Sequence, residues 1–334
     1  MRLSFKKVLF ATGIILLCLS CKKVLSFDIP YEGPELVLNA QWYTCDTIHY
    51  AYLCQSEQYM VRDVDNDLSL TCSINNNETI VADTSWVIEN GSSFISRCYQ
   101  FKVNLHPGDS VVLNANNDLY SLKAQSFVLP VPTVSIDTSS VRQLFNDYLP
   151  FREYDVNLTL TDRKGESNYY QAFSLAVKTT YEPIDHSSED AVFYNRVLLN
   201  DSDPIFRSVP LQIPSRLANE VAVFASTTNR AHVFSDNLFE DGSYVFSFAD
   251  VKPVLLMDSA YISFSTTYTL RLAAISWDSY LYCLASNASY SSSGDPFSEP
   301  VLIPTNVEGG LGGFGVYSVY EFQFNDYTTL SPGH

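Results

Sequence analysis

Cys21 is the residue whose chemistry is clearest from position alone. It follows the basic stretch Met1-Arg2-Leu3-Ser4-Phe5-Lys6-Lys7, an apolar run from Val8 to Leu19, and Ser20. The run is shorter than the roughly 20 residues that cross a hydrocarbon core, and its basic flank and small-residue exit fit an export signal. A plain signal-peptidase site accounts for Ser20 but not for a thiol directly after it. A bacterial lipoprotein signal requires that thiol, which is acylated before cleavage. Residues 1–20 are therefore expected to be a signal peptide and Cys21 the acylated first residue of the mature chain. One departure is Cys18, three residues before the cut, where an aliphatic residue is usual. Several acyl chains on one residue would anchor the body stably, since each buried methylene contributes about 0.8 kcal/mol.

Other groupings point to chemistry less directly. Asp63-Val64-Asp65-Asn66-Asp67 alternates carboxylates, and a hard cation takes several converging oxygens. An EF-hand would continue with glycine at 68 and glutamate at 74, where the chain has Leu68 and Ile74. A nonstandard calcium site on Asp63, Asp65 and Asp67 competes with the plainer reading, an acidic hairpin tip. Gly310-Leu311-Gly312-Gly313-Phe314-Gly315 matches a dinucleotide fingerprint as a string. That mechanism needs a helix after the glycines to face pyrophosphate, and here a strand follows. A loop with positive dihedrals or close backbone contacts is expected instead.

His49, His106, His186, His232 and His334 show neither metal-binding helical spacing nor a nucleophile motif. Asp185-His186-Ser187 is consecutive, whereas a triad is assembled from separated elements. Cys45, Cys54, Cys72 and Cys98 lie close in sequence and Cys283 stands alone, expected as a free buried thiol. Export permits oxidation, and spacing does not choose among the connectivities open to the four. The chain reads as a non-enzyme without a cofactor.

The elements that hold these residues are strands. Leu36-Val37-Leu38-Asn39-Ala40, Phe101-Lys102-Val103-Asn104-Leu105 and Asp109-Ser110-Val111-Val112-Leu113 alternate, with His106-Pro107-Gly108-Asp109 as a turn. The fold class expected is mainly β. Residues 21–34 are a tether, 35–130 an immunoglobulin-like β-sandwich, 131–150 a linker, and 151–334 a second β-rich domain. Trp277, Tyr280, Leu281 and Leu284 recur at helical spacing after Ser276, which predicts one amphipathic helix in that domain. The 22 tyrosines and 21 phenylalanines should mostly fill cores, and those left exposed would form a stacking platform for sugars or a partner.

Loss of Arg2, Lys6 and Lys7 with the signal takes the formal charge from −17 to −20. So acidic a body excludes nucleic acid as a partner, because nucleic-acid surfaces want basic patches.

The stretch Phe27-Asp28-Ile29-Pro30-Tyr31-Glu32-Gly33-Pro34-Glu35-Leu36-Val37-Leu38-Asn39 resembles a Bacteroidetes lipoprotein family, domain of unknown function 4249. So do His106-Pro107-Gly108, Phe234-Ser235-Asp236-Asn237-Leu238-Phe239, and the run from Asp295-Pro296-Phe297 to Gly312-Gly313-Phe314-Gly315. The resemblance implies an outer-membrane lipoprotein, often encoded beside SusC-type TonB-dependent receptors, and so an accessory role in transport. It supplies no catalytic residues. A glycan- or peptide-binding module is the alternative. Lys22-Lys23 stands where surface-exposed relatives often carry acids, which leaves the cell-surface and periplasmic faces both open.

Overall fold

Alternation in the first strand decides which way the first sheet faces. In β1 (Leu36–Tyr43), Leu36, Leu38, Ala40 and Trp42 are buried, while Val37, Asn39, Gln41 and Tyr43 take the opposite face, as a two-residue side-chain period requires. The computed structural model describes residues 33–57, 60–64, 68–77, 79–89, 95–146, 149–173, 175–183, 191–197, 203–207, 231–253, 261–292 and 302–329. Strands β2 (Ile48–Glu57), β3 (Met60–Arg62), β4 (Ser69–Ile74), β5 (Thr79–Val81), β6 (Thr84–Glu89), β7 (Ile95–Lys102), β8 (Ser110–Asn116) and β9 (Ser121–Phe127) follow. Gly108, at φ 95°, makes the turn before β8, and the Asp109 N–H donates to the His106 carbonyl across it at 3.0 Å.

The second half holds β10 (Thr133–Asn146), β11 (Leu149–Thr161), β12 (Tyr169–Ala172), β13 (Leu175–Pro183), β14 (Ala191–Val197), β15 (Val233–Ser235), β16 (Ser243–Pro253) and β17 (Tyr261–Ile275). Helix α1 (Trp277–Ser292), β18 (Val307–Glu308) and β19 (Leu311–Thr329) come after them. The fold is mainly β, with one α-helix among the described residues.

The largest sheet runs β14-β13-β17-β19-β1-β2-β7-β6, with β12, β15 and β3 at its margins. A five-stranded sheet, β18-β9-β8-β4-β5, and a three-stranded one, β10-β11-β16, complete the set. β1 and β19 pair in parallel, from Val37 opposite Leu311 to Tyr43 opposite Tyr317. Parallel neighbours need a long connection, and here it is nearly the whole chain. One core fills the space between the β1-β2-β7 and β4-β8-β9 strands, and Val307, Phe314 and Val316 from the C-terminal segment complete it. Residues 131–150, expected as a linker, hold β10 and the start of β11, and Glu35–His334 form one compact unit.

The glycine run differs from the expected loop, because Leu311 to Gly315 open β19. The close backbone contacts are there: a Cβ on Gly310 would lie 2.6 Å from the Leu36 carbonyl oxygen. Gly312 takes φ 104°, a conformation that favours glycine. Helix α1 docks on this stretch. Ser276 Oγ accepts the Ser279 N–H at 3.2 Å as the cap, and Tyr280, Leu281 and Leu284 are buried against Ala273, Ile275, Tyr317 and Val319.

The thiols of Cys45, Cys54, Cys72, Cys98 and Cys283 are all free, and Cys283 is buried as expected. Cys72 lies in the core between the sheets. Cys54 and Cys98 alternate with the core residues Leu53 and Tyr99, so they occupy the other side of β2 and β7. The sheet itself therefore separates Cys72 from both. Burial pushes Cys72 up to about 12 and Cys54 up to about 11, which keeps both thiols protonated.

Candidate functional site

Among the described residues, those singled out by motif do not form a common cluster. Cys21, Asp65, Asp67, His186 and His334 lie outside the described residues. Asp63 is engaged by Arg97, whose Nε and Nη2 donate to its two carboxylate oxygens at 3.2 and 2.6 Å. Both carboxylate oxygens of Asp63 are thus held by a guanidinium. His106 is exposed beside Asp109, and His49 is buried under Trp42 at a ring distance of 4.9 Å.

A cleft of about 400 Å³ opens instead on the outer face of the largest sheet, a size that holds a small ligand. The face is built by period. His49, Ala51 and Leu53 of β2 turn to the core, so Ile48, Tyr50 and Tyr52 turn outward and remain exposed. On β1 the same rule turns Asn39, Gln41 and Tyr43 out. The ladders then align one row across five strands: Gly313, Asn39, Tyr52, Cys98 and Trp86. Trp86 meets Tyr50 edge-on, centroids 6.0 Å apart, and both rings are about 40% exposed.

Helix α1 supplies the far wall. Tyr282 lies over Gly313, where a Cβ would come within 2.9 Å of its ring, and its hydroxyl donates to Asn39 Oδ1 at 2.8 Å. The near wall is Tyr43 with Asp46, from the turn before β2. Tyr43 is itself held by Phe173 and Tyr317, at ring distances of 5.7 and 5.3 Å. Loss of solvent is the main cause that raises Tyr43, Tyr52 and Tyr282 above the ordinary phenol range. Among the described residues the cleft thus offers neutral hydroxyls, two amides and one carboxylate, and neither lysine nor arginine lines it.

Two other places are less suited to a ligand. The crevice at the foot of α1, beside Ser279, Asn306 and Gly315, is about 30 Å³, room for a single water. Asp162, Asn168 and Asp236 form a buried cluster whose hydrogen bonds are spent within the fold. There the Asn168 N–H donates to Asp236 Oδ2 at 2.6 Å and the Asp241 N–H to Asp162 Oδ2 at 3.0 Å.

A family described as Domain of unknown function (DUF4249) matches residues 22–323. The chain belongs to that family. No curated protein matches it. The match begins directly after Cys21 and includes every cleft residue from Asn39 to Gly313.

In this DUF4249 protein, sequence reading anticipated exposed aromatics as a class but not Tyr50, Tyr52, Trp86 or Tyr282 by number. The available signal was Ile48-His49-Tyr50-Ala51-Tyr52-Leu53, a strand apolar on both faces whose larger rings share one of them. Asn39 and Gln41 were visible only as the polar positions of an alternating strand.

Proposed function

We propose that this chain is a lipid-anchored, non-enzymatic outer-membrane lipoprotein that captures a ligand in the tyrosine cleft as an accessory to a TonB-dependent receptor. The observation that carries the capture step is the cleft, with Tyr50 and Tyr52 exposed beside Asn39, Gln41 and Asp46 on an ordered sheet. Large apolar rings held at a surface beside hydrogen-bonding side chains are the usual composition of a small-ligand site. The Ser20-Cys21 signal supports the anchor, and the family resemblance supports the receptor partner.

The test is co-purification of the tagged, full-length protein from solubilised outer membranes. A TonB-dependent receptor is expected in the eluate. Recovery of the protein alone, as a free monomer, would overturn the accessory role.

A second reading is a glycan- or peptide-binding module that acts without a receptor, favoured by the same exposed rings. Ligand binding by the isolated protein at full affinity, with no receptor in the membrane eluate, would select it.

A further inference from the structure

Resting on the reading of the cleft as a ligand site, we infer that its ligand is an uncharged glycan whose sugar rings lie along Tyr50 and Tyr52. The geometry sorts the ligand classes one by one. A peptide recognised by strand addition needs a free sheet edge. At the cleft floor β19, β1 and β2 are all interior strands, paired on both sides, so a peptide would find no backbone partner there.

Anionic sugars and phosphates need a cation to offset their desolvation. Among the described residues the lining carries no lysine or arginine, and it does carry Asp46. A quaternary ammonium is held by ring faces that converge around it. Here Tyr43 is spent on Phe173 and Tyr317, and Tyr282 lies over Gly313. What remains is Tyr50 and Tyr52, side by side on one strand and roughly 7 Å apart along it. That is a strip, not a cage.

The strip suits a flat, weakly polar ring face stacked on phenol rings. Sugar hydroxyls both donate and accept, and the groups around the strip answer both roles. Asn39 and Gln41 carry amide N–H donors beside oxygens that already accept from Tyr282 and Tyr43, Asp46 carries acceptor oxygens, and a phenol hydroxyl can donate or accept. Trp86 continues the strip past Tyr50 toward the β6 edge, which admits a chain of sugars rather than one.

The experiment uses the full-length lipidated protein in detergent micelles. It is titrated with neutral hexose oligosaccharides of α and β linkage, with uronic-acid oligosaccharides, and with a mixture of neutral peptides. A neutral oligosaccharide is expected to bind, and Tyr50→Ala and Tyr52→Ala are each expected to weaken it about tenfold or more. Asp46→Asn should weaken it less, and uronic-acid oligosaccharides should bind at least about tenfold more weakly than neutral ones. Phe127→Ala, on the opposite sheet, should leave binding unchanged, and thermal melting of each variant checks that it folds. Tyr50-dependent binding of peptides or uronic acids, with none of neutral sugars, overturns the glycan class and leaves the cleft as a ligand site. Absence of any Tyr50- or Tyr52-dependent binding overturns the inference and removes the cleft from the proposed function as well.

Discussion

His49 and Asp236 show how burial writes a pH dependence into single residues. His49 is 2% exposed, stacks on Trp42, and donates from Nε2 to the Val103 carbonyl at 3.0 Å. Desolvation lowers its pKa, and the Val103 bond only partly opposes that. A folded pKa below the unfolded one means that the unfolded chain takes the proton first. The stability His49 contributes is therefore complete above about pH 6.5 and is lost as the pH falls from there through the folded value. Asp236 has the opposite sign. Desolvation raises it, against the Asn168 N–H bond that lowers it. Its contribution is complete below about pH 4 and is lost as the pH rises through the folded value. His49→Phe should thus flatten the fall in melting temperature just below about pH 6.5 and leave the lower acid limb as it is. Thermal melts at half-unit pH steps check this, and an unchanged slope in the variant would refute it. None of this was legible beforehand, because the histidines are scattered in sequence and burial depends on a strand register that sequence does not print.

At the scale of elements, legibility followed the range of the interaction. The helix was readable because its signals are local: the 3.6-residue recurrence of Trp277, Tyr280, Leu281 and Leu284, and a serine before them. Its cap is equally local. Ser276→Ala should cost about 1 kcal/mol, read by chemical denaturation as a lower midpoint with an unchanged slope. The glycine run was not readable, because what makes it a strand is β1, nearly the whole chain upstream. Its glycines serve two partners at once, admitting the Leu36 carbonyl beside Gly310 and the Tyr282 ring over Gly313. Gly313→Val should overpack that seat and cost about 1–3 kcal/mol. It should also push Tyr282 off Asn39 and so weaken ligand binding in the cleft, whereas Ser276→Ala should leave binding intact. A Gly313→Val protein that loses stability but keeps its binding would show that the helix wall is dispensable to the site.

The whole molecule is closed by its last long strand. Alternation and turn chemistry were enough to read a mainly β fold, because each strand carries its own period. They were silent on which strands meet, and so on the fact that the first core is completed by Val307, Phe314 and Val316. Residues 35–130 alone would leave β1 with one bare edge, would lack β18 beside β9, and would expose the face that Phe314 packs against Trp42 at 5.3 Å. Losing one such aromatic from a core typically costs about 3–5 kcal/mol, a large part of the 5–15 kcal/mol or so that holds a domain folded. A protein made of residues 35–130 is therefore expected to show poor amide chemical-shift dispersion and no cooperative melt, while the full chain melts as a unit. Adding residues 302–329 to that fragment through a flexible linker should restore the cooperative transition, since the segment returns both the missing core side chains and the parallel partner of β1. If the fragment alone folds cooperatively, the C-terminal strand decorates the first core rather than completing it. The cleft floor, which spans β19, β1 and β2, would then sit on a joint between separable bodies instead of within a single sheet.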